Sequence, residues 1–346
     1  MSRVAIDADV LGRKRTGDET YVAALLRELV PLVEREELFA ITRRPDLVPA
    51  GVEAVELAAR NQIVRMTLTL PRVLRHLRAD LAHFLYAIPP GYRGRAVVTI
   101  HDLSYERLPD VMGFRDRLLF RTQVPRSARR ADRVLTGSEL TKRDLIERYA
   151  VAEERIVVTP YGVDPFYRPD GPRRDGHYAL FVGAIQPRKD PVGAIEAFAL
   201  LNGDLRLVLV GPEKSGGQEV RAAIQRLGMG DRVELAGHVE RDELAALYRG
   251  AACLVFPSRY EGFGLPIVEA MASGTPVVAA RAGAVPEVAG DAAVLVEPGD
   301  PVALAGGIER ALADRERLVA AGIERAKRFN WVETARQTLG VYRELT

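Results

Sequence analysis

The segment EGFGLPIVE at residues 261–269 combines residue types that suit the binding of sugars and phosphates. Two carboxylates, Glu261 and Glu269, flank a turn in which Gly262 and Gly264 permit a ligand to approach the backbone closely. The Leu-Pro pair after the turn is typical of a helix start, where free N–H groups favour a phosphate. Because a carboxylate accepts hydrogen bonds from a vicinal diol, the two carboxylates could hold the sugars at both ends of one diphosphate. The spacing alone favours a simpler alternative, in which Glu261 caps the helix and Glu269 is a surface residue.

Two further positions could carry chemistry. His101, in the sequence TIHD, lies at the carboxyl end of a predicted strand, where ligands bind in α/β folds. A lone histidine is also compatible with a hydrogen-bonded residue near the domain surface. Asp7 and Asp9 form a D-x-D sequence, a pattern that can hold a divalent metal on a diphosphate. Since this pair falls in or at the end of the first predicted strand, we interpret it as structural and expect no metal there.

The elements that position these residues are clearest in the second half of the chain. Its strand-length apolar runs are continuous, which indicates strands buried on both faces, and their strict alternation with helical patterns indicates a parallel sheet. The runs lie at 177–185, 205–211, 233–237, 253–258, 275–280 and 291–297. Residues from about 175 to 328 therefore predict one doubly wound α/β domain.

The first half repeats this pattern less regularly. Predicted strands lie at 4–10, 38–42, 82–86, 96–102, 133–138 and 155–163, and a glycine-containing loop and a helix follow the first of them. The segment 164–177 is rich in Pro, Gly and charge and is the best candidate for a linker. We place the domain boundary within it, giving domains 1–168 and 169–329. Two such domains would face each other across a cleft between the carboxyl ends of their sheets.

Length and composition agree with two globular domains and exclude several classes of protein. The chain has 346 residues, against about 150 for an ordinary domain. A net charge of +2 argues against bulk nucleic-acid binding, although residues 1–168 carry 28 Lys and Arg against 23 Asp and Glu. The one cysteine, Cys253, excludes an internal disulfide framework. No run approaches ~18 apolar residues, and a strand pattern begins at once, so we expect a cytoplasmic protein without a signal peptide.

The segment EGFGLPIVE resembles the E-x(7)-E signature of family-four glycosyltransferases, and its surroundings resemble the same family. GTPVVAA and PEVAGDAAVLVEPGD follow it, and FVGAIQPRKDPVGAIEAF upstream is similar to the glycine–Arg–Lys segment of that family. VVTIHDLSYERLPD, LTGSELTKRDL and VTPYGVD resemble its N-terminal domain, so the similarity spans nearly the whole chain in the same order. The resemblance implies the GT-B architecture of two Rossmann-like domains, with the last helix, 330–346, returning to the first domain. It also implies a retaining transfer of a hexose from a nucleoside diphosphate sugar.

The resemblance assigns roles to individual residues. Arg188 and Lys189 would bind the diphosphate, and Gly183 would leave room for it at a strand end. Glu269 would bind the ribose hydroxyls, and Glu261 the hydroxyls of the transferred sugar. Further donor contacts are implied at the side chain of His101, at the backbone of His238 and Val239, and at the turn formed by Gly262, Phe263, Gly264 and Leu265. Outside this context the Arg-Lys pair would be interpreted as a solvated loop pair, and we expect its loss to cost little stability.

The first loop, LGRKRTGDETYV, departs from the family pattern, which has a glycine-rich turn near the donor phosphate. Gly17 remains as a candidate donor contact, but Asp18 and Glu19 follow it. Thr16 and Glu19 match a helix capping box. Two carboxylates at that helix start would repel a phosphate. We therefore treat the Gly17 contact as open, with acceptor hydroxyls as the alternative partners of the acidic pair.

The predicted reaction needs neither cofactor nor metal, because Arg188 and Lys189 supply the cations at the departing diphosphate. No residue stands out as a nucleophile, so we interpret the chemistry as a front-face displacement in which the leaving phosphate helps to deprotonate the acceptor. The donor would be a GDP- or UDP-sugar, and the acceptor a glycan, a lipid-linked sugar or a small molecule. The alternatives are a GT-B sugar-nucleotide epimerase, a phosphorylase, or a two-domain ligand-binding protein without catalysis.

Residues 60–80 form a basic, partly apolar segment with five arginines and a single acid at its end. Pro71 is expected to interrupt any single helix there, and a second basic stretch follows at 114–133. Two ordinary helices with solvated arginines explain both stretches. The alternative is a patch that meets anionic lipid or an anionic acceptor, which would place the protein peripherally at the inner membrane face.

Overall fold

The computed structural model of the chain describes residues 2–13, 16–58, 61–108 and 113–346, with the backbone but not the side chain of Thr16. The backbone divides into two compact units. The first unit comprises Met1–Leu103, Phe114–Gly162 and Asn330–Thr346, and the second comprises Ser104–Gly113 and Val163–Phe329.

Thirteen parallel strands form two sheets among these residues. The seven strands of the first unit are Ser2–Asp7 (β1), Glu36–Thr42 (β2), Glu53–Glu56 (β3), Leu81–Leu85 (β4), Arg95–Thr99 (β5), Arg133–Thr136 (β6) and Ile156–Val158 (β7). The six strands of the second unit are Tyr178–Val182 (β8), Arg206–Val210 (β9), Val233–Gly237 (β10), Leu254–Phe256 (β11), Val277–Ala280 (β12) and Val294–Val296 (β13). The strand orders are β3-β2-β1-β4-β5-β6-β7 and β10-β9-β8-β11-β12-β13.

The helices of the described residues connect these strands. In chain order they are Thr16–Leu29 (α1), Gln62–Val64 (α2), Leu70–Leu77 (α3), Ser104–Arg107 (α4), Phe114–Arg130 (α5), Glu139–Tyr149 (α6), Pro191–Leu200 (α7), Gly217–Arg226 (α8), Arg241–Gly250 (α9), Leu265–Ala272 (α10), Val285–Ala289 (α11), Pro301–Ala313 (α12), Arg315–Ala326 (α13) and Trp331–Leu345 (α14). Each unit is therefore a Rossmann-like, doubly wound α/β domain, the fold class predicted from the alternating pattern.

The continuous apolar runs form the buried strands for the predicted reason. In the second unit, Leu180, Val255 and Val278 of neighbouring strands are fully buried, because helices cover both faces of the sheet. One strand, β3, was not predicted. Its sequence EAVE is polar and largely exposed, since it pairs only with β2 at the edge of the first sheet.

The order of strands reverses once in each sheet, between β1 and β4 and between β8 and β11. Consecutive connections leave in opposite directions at such a switch point, and a crevice opens outside the carboxyl ends of the two strands. The residues that follow β1, β8 and β11 are therefore placed where ligands bind in doubly wound sheets.

The predicted linker belongs to the second unit. Its residues pack there through an ion pair of Asp164 with Arg241 and through Arg174, which lies 2.7 Å from Glu234. The chain accordingly passes between the units at residues 162 and 163, earlier than the boundary at residue 168 that the composition suggested. Charge and glycine content marked an irregular segment here, but its specific ion pairs were invisible in the sequence.

Helix α14 packs against α1 in the first unit, as the resemblance implied. Asn330 begins the helix by accepting a hydrogen bond from the Val332 N–H at 2.8 Å. Tyr342 then lies 2.5 Å from a ring nitrogen of buried His83, on β4. The last residues of the chain thus complete the core of the first unit.

The segment after Asn61 is helical through residue 77, so the expectation that Pro71 interrupts it is wrong. Asn61 accepts hydrogen bonds from the backbone at Ile63 and Val64, and a π-helical turn, Arg65–Thr69, joins α2 to α3. Pro71 lies in the first turn of α3, directly after the wider π turn, where its missing N–H is tolerated.

Candidate functional site

The predicted residues of the second unit meet at the switch point between β8 and β11. Gly183 follows β8, and the turn Pro187–Lys189 comes shortly after it. Glu261 follows β11 and precedes α10. A Cβ atom at Gly183 would lie 3.4 Å from the Lys189 side chain, in ordinary van der Waals contact, so the lysine lies directly against this strand end.

Glu261 is the buried centre of this cluster. Its Oε1 lies 2.6 Å from Lys189 Nζ and 3.1 Å from Arg188 Nη1. Burial would raise the pKa of Glu261, but the charges of Arg188 and Lys189 lower it to about 2. The carboxylate therefore stays ionised, and the cluster keeps one net positive charge for an anionic ligand.

The two simpler alternatives for these residues are wrong. Glu261 does not cap α10, whose N-cap residue is Gly264. Arg188 and Lys189 are not a solvated loop pair, because Lys189 is buried and Arg188 also donates to the Tyr260 carbonyl at 2.7 Å. The ion pairs with Glu261 hold both cations against the carboxyl ends of the strands. Their loss must therefore affect stability as well as binding.

The glycine turn leaves the start of α10 open. Gly264 has a φ of 104°, a left-handed conformation that favours glycine, and no side chain of the described residues caps the helix. Phe263 is buried against Phe329, with ring centroids 5.5 Å apart. The backbone N–H groups of the first helical turn, beginning at Leu265, and the helix dipole thus suit a phosphate beside the Arg188–Lys189 pair.

Gly283, which the sequence analysis did not single out, packs closely against the backbone of the same turn. It has a φ of 59°, and a Cβ there would lie 2.3 Å from the Glu261 carbonyl oxygen. Its neighbour Ala284 donates a hydrogen bond to that oxygen at 2.8 Å. Only a glycine lets the chain after β12 pass this close. A glycine in an unremarkable Ala-rich stretch gave no sequence signal of this role.

Glu269 lies in the second turn of α10, half-buried rather than on the surface. Burial raises its pKa to about 7, although the hydroxyl of Tyr248 donates a hydrogen bond to its Oε2 at 2.8 Å and opposes the rise. Tyr248, on α9, was not singled out by the sequence, because it follows an ordinary amphipathic pattern. It orients Glu269 and leaves the second carboxylate oxygen for a ligand.

His238 and Val239 lie in the loop between β10 and α9, at the carboxyl end of the sheet. His238 is exposed and Val239 is half-buried. The preceding Gly237 lines a hollow together with Leu209 and Gly211. Backbone groups of this loop therefore lie at the same edge of the sheet as the glycine turn.

His101 lies in the first unit, after β5, and is buried among aromatic rings. Its Nδ1 bonds to the hydroxyl of Tyr161, and Tyr21 packs edge-on with ring centroids 4.9 Å apart. Burial lowers the pKa of His101, while Asp18 and Asp102 oppose this effect. The ring is therefore neutral near pH 7. Tyr161, which the sequence did not flag, is 60 residues away along the chain.

The two acidic residues of the first loop, Asp18 and Glu19, make different contacts. Asp18 Oδ1 lies 3.7 Å from His101 Nε2, whereas Glu19 accepts a hydrogen bond from the Gly12 N–H at 2.7 Å. Gly17 is exposed, and no atom of the described residues lies within 4 Å of where its Cβ would be. The predicted capping contact of Thr16, like Lys14 and Arg15, lies outside the described residues.

The D-x-D carboxylates are engaged by arginines. Asp7 binds Arg65, and Asp9 lies 3.0 Å from Arg65 Nε and 2.8 Å from Arg43 Nε, with Arg13 as a third partner. No group of metal-ligating side chains occurs among the residues that the structure describes. Both carboxylates at the end of β1 are therefore held in ion pairs with arginines.

The same contacts change the interpretation of the basic segment. Arg65 is buried against the two aspartates and is not a surface cation, while Arg72, Arg75 and Arg78 are exposed. Arg60 lies outside the described residues. None of the described helices is long and apolar enough to cross a membrane.

Two family models match the chain and together cover most of it. Residues 15–166 match Glycosyltransferase Family 4, and residues 165–330 match Glycosyl transferases group 1. The chain is 34% identical to the O-antigen chain mannosyltransferase B of Escherichia coli, over 77% of this chain and 76% of that protein. It is 32% identical to a D-inositol 3-phosphate glycosyltransferase of Acidothermus cellulolyticus, over 95% of this chain and 85% of that one.

Solved structures share the fold over the whole length. Sucrose-phosphate synthase from Thermosynechococcus elongatus superposes with a TM-score of 0.83 at 24% identity, covering 100% of this chain and 99% of its own. Anabaena HepE in complex with UDP-glucose gives a TM-score of 0.78 at 19% identity, covering 99% and 100%. WaaG, a glycosyltransferase involved in lipopolysaccharide biosynthesis, gives 0.78 at 17% identity, covering 99% of each chain.

Proposed function

Since this chain belongs to the family-four glycosyltransferases of the GT-B fold, we propose that it transfers a hexose from a nucleoside diphosphate sugar to an acceptor hydroxyl, with retention of anomeric configuration and without a metal. The observation that carries the proposal is the buried Lys189–Glu261–Arg188 cluster beside the open start of α10. The cluster and the helix start together place a net positive charge, free helix N–H groups and a carboxylate at one edge of the sheet. Those are the groups that a sugar diphosphate requires.

Different residues bind the diphosphate and the ribose of the donor. Arg188, Lys189 and the N–H groups at Gly264 and Leu265 bind the diphosphate, and Glu269 accepts hydrogen bonds from the ribose diol. The solved complexes of HepE with UDP and UDP-glucose support this class of donor. The named activities of the relatives, mannosyl transfer among them, leave GDP- and UDP-hexoses as the two donors to compare.

Catalysis follows from stabilisation of the leaving group. Negative charge develops on the departing diphosphate, and Arg188 and Lys189 are already fixed beside it, so no reorganisation is needed in the transition state. Glu261 is a poor nucleophile, because its two ion pairs hold its pKa at about 2. We therefore favour a front-face displacement, in which the leaving phosphate accepts the proton of the attacking hydroxyl.

Independence from metal is supported by the engagement of both D-x-D carboxylates. Asp7 and Asp9 would have to release Arg65 and Arg43 before they could bind an ion. The cationic pair Arg188–Lys189 already occupies the role of a metal at the diphosphate.

Contact with an anionic membrane is the part of the proposal that concerns the acceptor. In the first unit, exposed Ile63 and Leu68 precede exposed Arg72 and Arg75 on one helical segment. At the start of α5, exposed Phe114, Leu118 and Leu119 alternate with arginines. Apolar side chains beside cations suit shallow insertion among anionic headgroups, and hence a lipid-linked acceptor.

The test is a screen of GDP- and UDP-hexoses that measures release of the nucleoside diphosphate with and without candidate acceptors. We expect release to depend on an acceptor, and NMR of the product to show the anomeric configuration of the donor. Conversion of the donor without any acceptor would favour the epimerase alternative. An inverted product would contradict the mechanism.

A further inference from the structure

The departure of the first loop from the family pattern places a carboxylate beside His101. Asp18, in the first turn of α1, has its Oδ1 3.7 Å from His101 Nε2. That distance is too long for a hydrogen bond. Nε2 is buried and has no hydrogen-bond partner within the part of the chain that the structure describes. The Asp18 side chain is 29% exposed, so it forms the solvent side of the pair.

The tautomer of the neutral His101 ring determines which group faces Asp18. The Tyr161 hydroxyl and His101 Nδ1 share a hydrogen bond whose direction depends on that tautomer. Because the Asp18 carboxylate lies opposite Nε2, it favours the tautomer with the proton on Nε2, in which Nδ1 accepts from the Tyr161 hydroxyl. The pair thus presents one N–H donor and one anionic acceptor, 3.7 Å apart.

A hydroxyl group matches this arrangement, whereas an ionised phosphate does not. A hydroxyl oxygen about 2.8 Å from both atoms would accept from Nε2–H and donate to Asp18. An ionised phosphate oxygen has no proton to donate, and the carboxylate repels it. Nε2 is buried and the Asp18 side chain is 29% exposed, so a ligand that approaches from solvent meets the carboxylate.

We infer that Asp18 is a specificity-determining residue, which binds a sugar hydroxyl together with His101 and excludes a phosphate from that position. The inference rests on the proposed glycosyltransferase function and narrows its substrate class: the sugar that reaches this site carries a free hydroxyl there. Glu19 does not share the role, because its carboxylate is bound to the Gly12 N–H within its own loop.

The first test needs no knowledge of donor or acceptor. The one tryptophan of the chain, Trp331, is buried and stacks on Tyr161 at 5.9 Å, so its fluorescence reports the surroundings of His101. Inorganic phosphate is titrated into the wild type, Asp18→Asn and Glu19→Gln. We expect Asp18→Asn to bind phosphate at least about 10-fold more tightly than the wild type. Glu19→Gln removes the same charge from the same helical turn and should match the wild type.

Equal phosphate affinity in the wild type and Asp18→Asn would overturn the inference, as would an equal gain in Glu19→Gln. That outcome would leave the proposed function intact, because donor turnover is measured separately.

The second test identifies the source of the hydroxyl. With the donor and acceptor found in the screen, KM for each is measured in the same three proteins. An increase of about 10-fold in the acceptor KM of Asp18→Asn assigns the hydroxyl to the acceptor, and an increase in the donor KM assigns it to the transferred sugar. Unchanged values for both would contradict the inference.

Discussion

Glu269 shows how burial of one side chain sets the conditions for donor binding. Its pKa of about 7 means that it is partly protonated at neutral pH, whereas a ribose diol donates best to the ionised carboxylate. We expect the affinity for the nucleoside diphosphate to rise as the pH increases through about 7. Glu269→Ala should weaken binding by on the order of 1.5–3 kcal/mol. Calorimetric titration across this pH range measures both effects.

The matched control is Glu269→Gln, which keeps the shape but does not titrate. Any pH dependence that it retains belongs to the phosphates of the ligand. Unchanged affinity in a folded Glu269→Ala protein would remove the residue from the site.

Lys189 links stability to catalysis in the same way. Lys189→Ala removes one of the two cations that pair with the buried Glu261 carboxylate, so we expect the free energy of unfolding to fall by roughly 3 kcal/mol. The Arg188→Ala, Lys189→Ala double variant should lose about 100-fold or more in turnover. Denaturant unfolding and initial rates measure the two consequences.

The acid dependence of stability checks the same cluster. The pKa of Glu261 is lowered from 4.5 to about 2, so its contribution to the free energy of unfolding is complete above pH 4.5 and lost as the pH falls towards 2. Lys189→Ala combined with Glu261→Gln should regain stability without regaining turnover. Recovery of both would mean that the cluster does not act on the leaving group.

At the scale of elements, one glycine decides whether α14 can pack onto the first sheet. Gly162 follows β7, and a Cβ there would lie 2.1 Å from the backbone nitrogen of Trp331, the first residue of α14. Backbone cannot yield as a flexible side chain can. We expect Gly162→Ala to lower the free energy of unfolding by about 3 kcal/mol or more, measured by denaturant unfolding followed through Trp331 fluorescence.

Gly340, within α14, provides the control because nothing in the part of the chain that the structure describes lies within 4 Å of its added Cβ. Gly340→Ala should raise the stability by about 0.5–1 kcal/mol, since alanine favours the helix. Equal effects of the two substitutions would show that the close approach at Gly162 is not what limits the packing.

At the scale of the whole molecule, the proposed function assigns the charges at the diphosphate to protein side chains, so we expect turnover to persist in EDTA. Arg188 and Lys189 are the proposed cations at the diphosphate, and Asp7 and Asp9 are held by arginines. Initial rates with EDTA, and with added Mg²⁺ or Mn²⁺, check this. Complete loss in EDTA that either ion restores would return the D-x-D pair to the active site.

Membrane contact is a second property of the whole chain. Exposed arginines near an anionic surface contribute ~1 kcal/mol each, so substituting Arg72, Arg75 and Arg78 with Gln should reduce binding to anionic vesicles at low salt. Co-sedimentation compares this variant with the wild type. Arg65 is left in place, because its loss would break the buried ion pairs with Asp7 and Asp9 and would not change the charge of the exposed surface. Equal pelleting of both proteins, or of neither, would show that the segment is no anchor.

The fold class followed from the sequence because local patterns encode it. Continuous apolar runs must be buried on both faces, and strict alternation with helices leaves a parallel sheet as the solution. The six predicted strands of the second half correspond to β8–β13. Strand β3 escaped prediction because an edge strand needs little burial, and the π turn before Pro71, in which Arg65 is buried, was not predicted either.

The candidate donor-binding residues were also proposed from the chain itself, through the spacing of Glu261 and Glu269 and the resemblance that it carries. Only the tertiary structure decided their state. Lys189 becomes buried and Glu261 stays ionised because strands distant in sequence, β8 and β11, are neighbours in the sheet. The fold likewise brings Tyr161 and Asp18 close to His101, and Arg65 into an ion pair with Asp7, although these residues are distant in the sequence. Contacts between residues remote in the chain set burial and charge, and neither local pattern nor composition encodes those contacts.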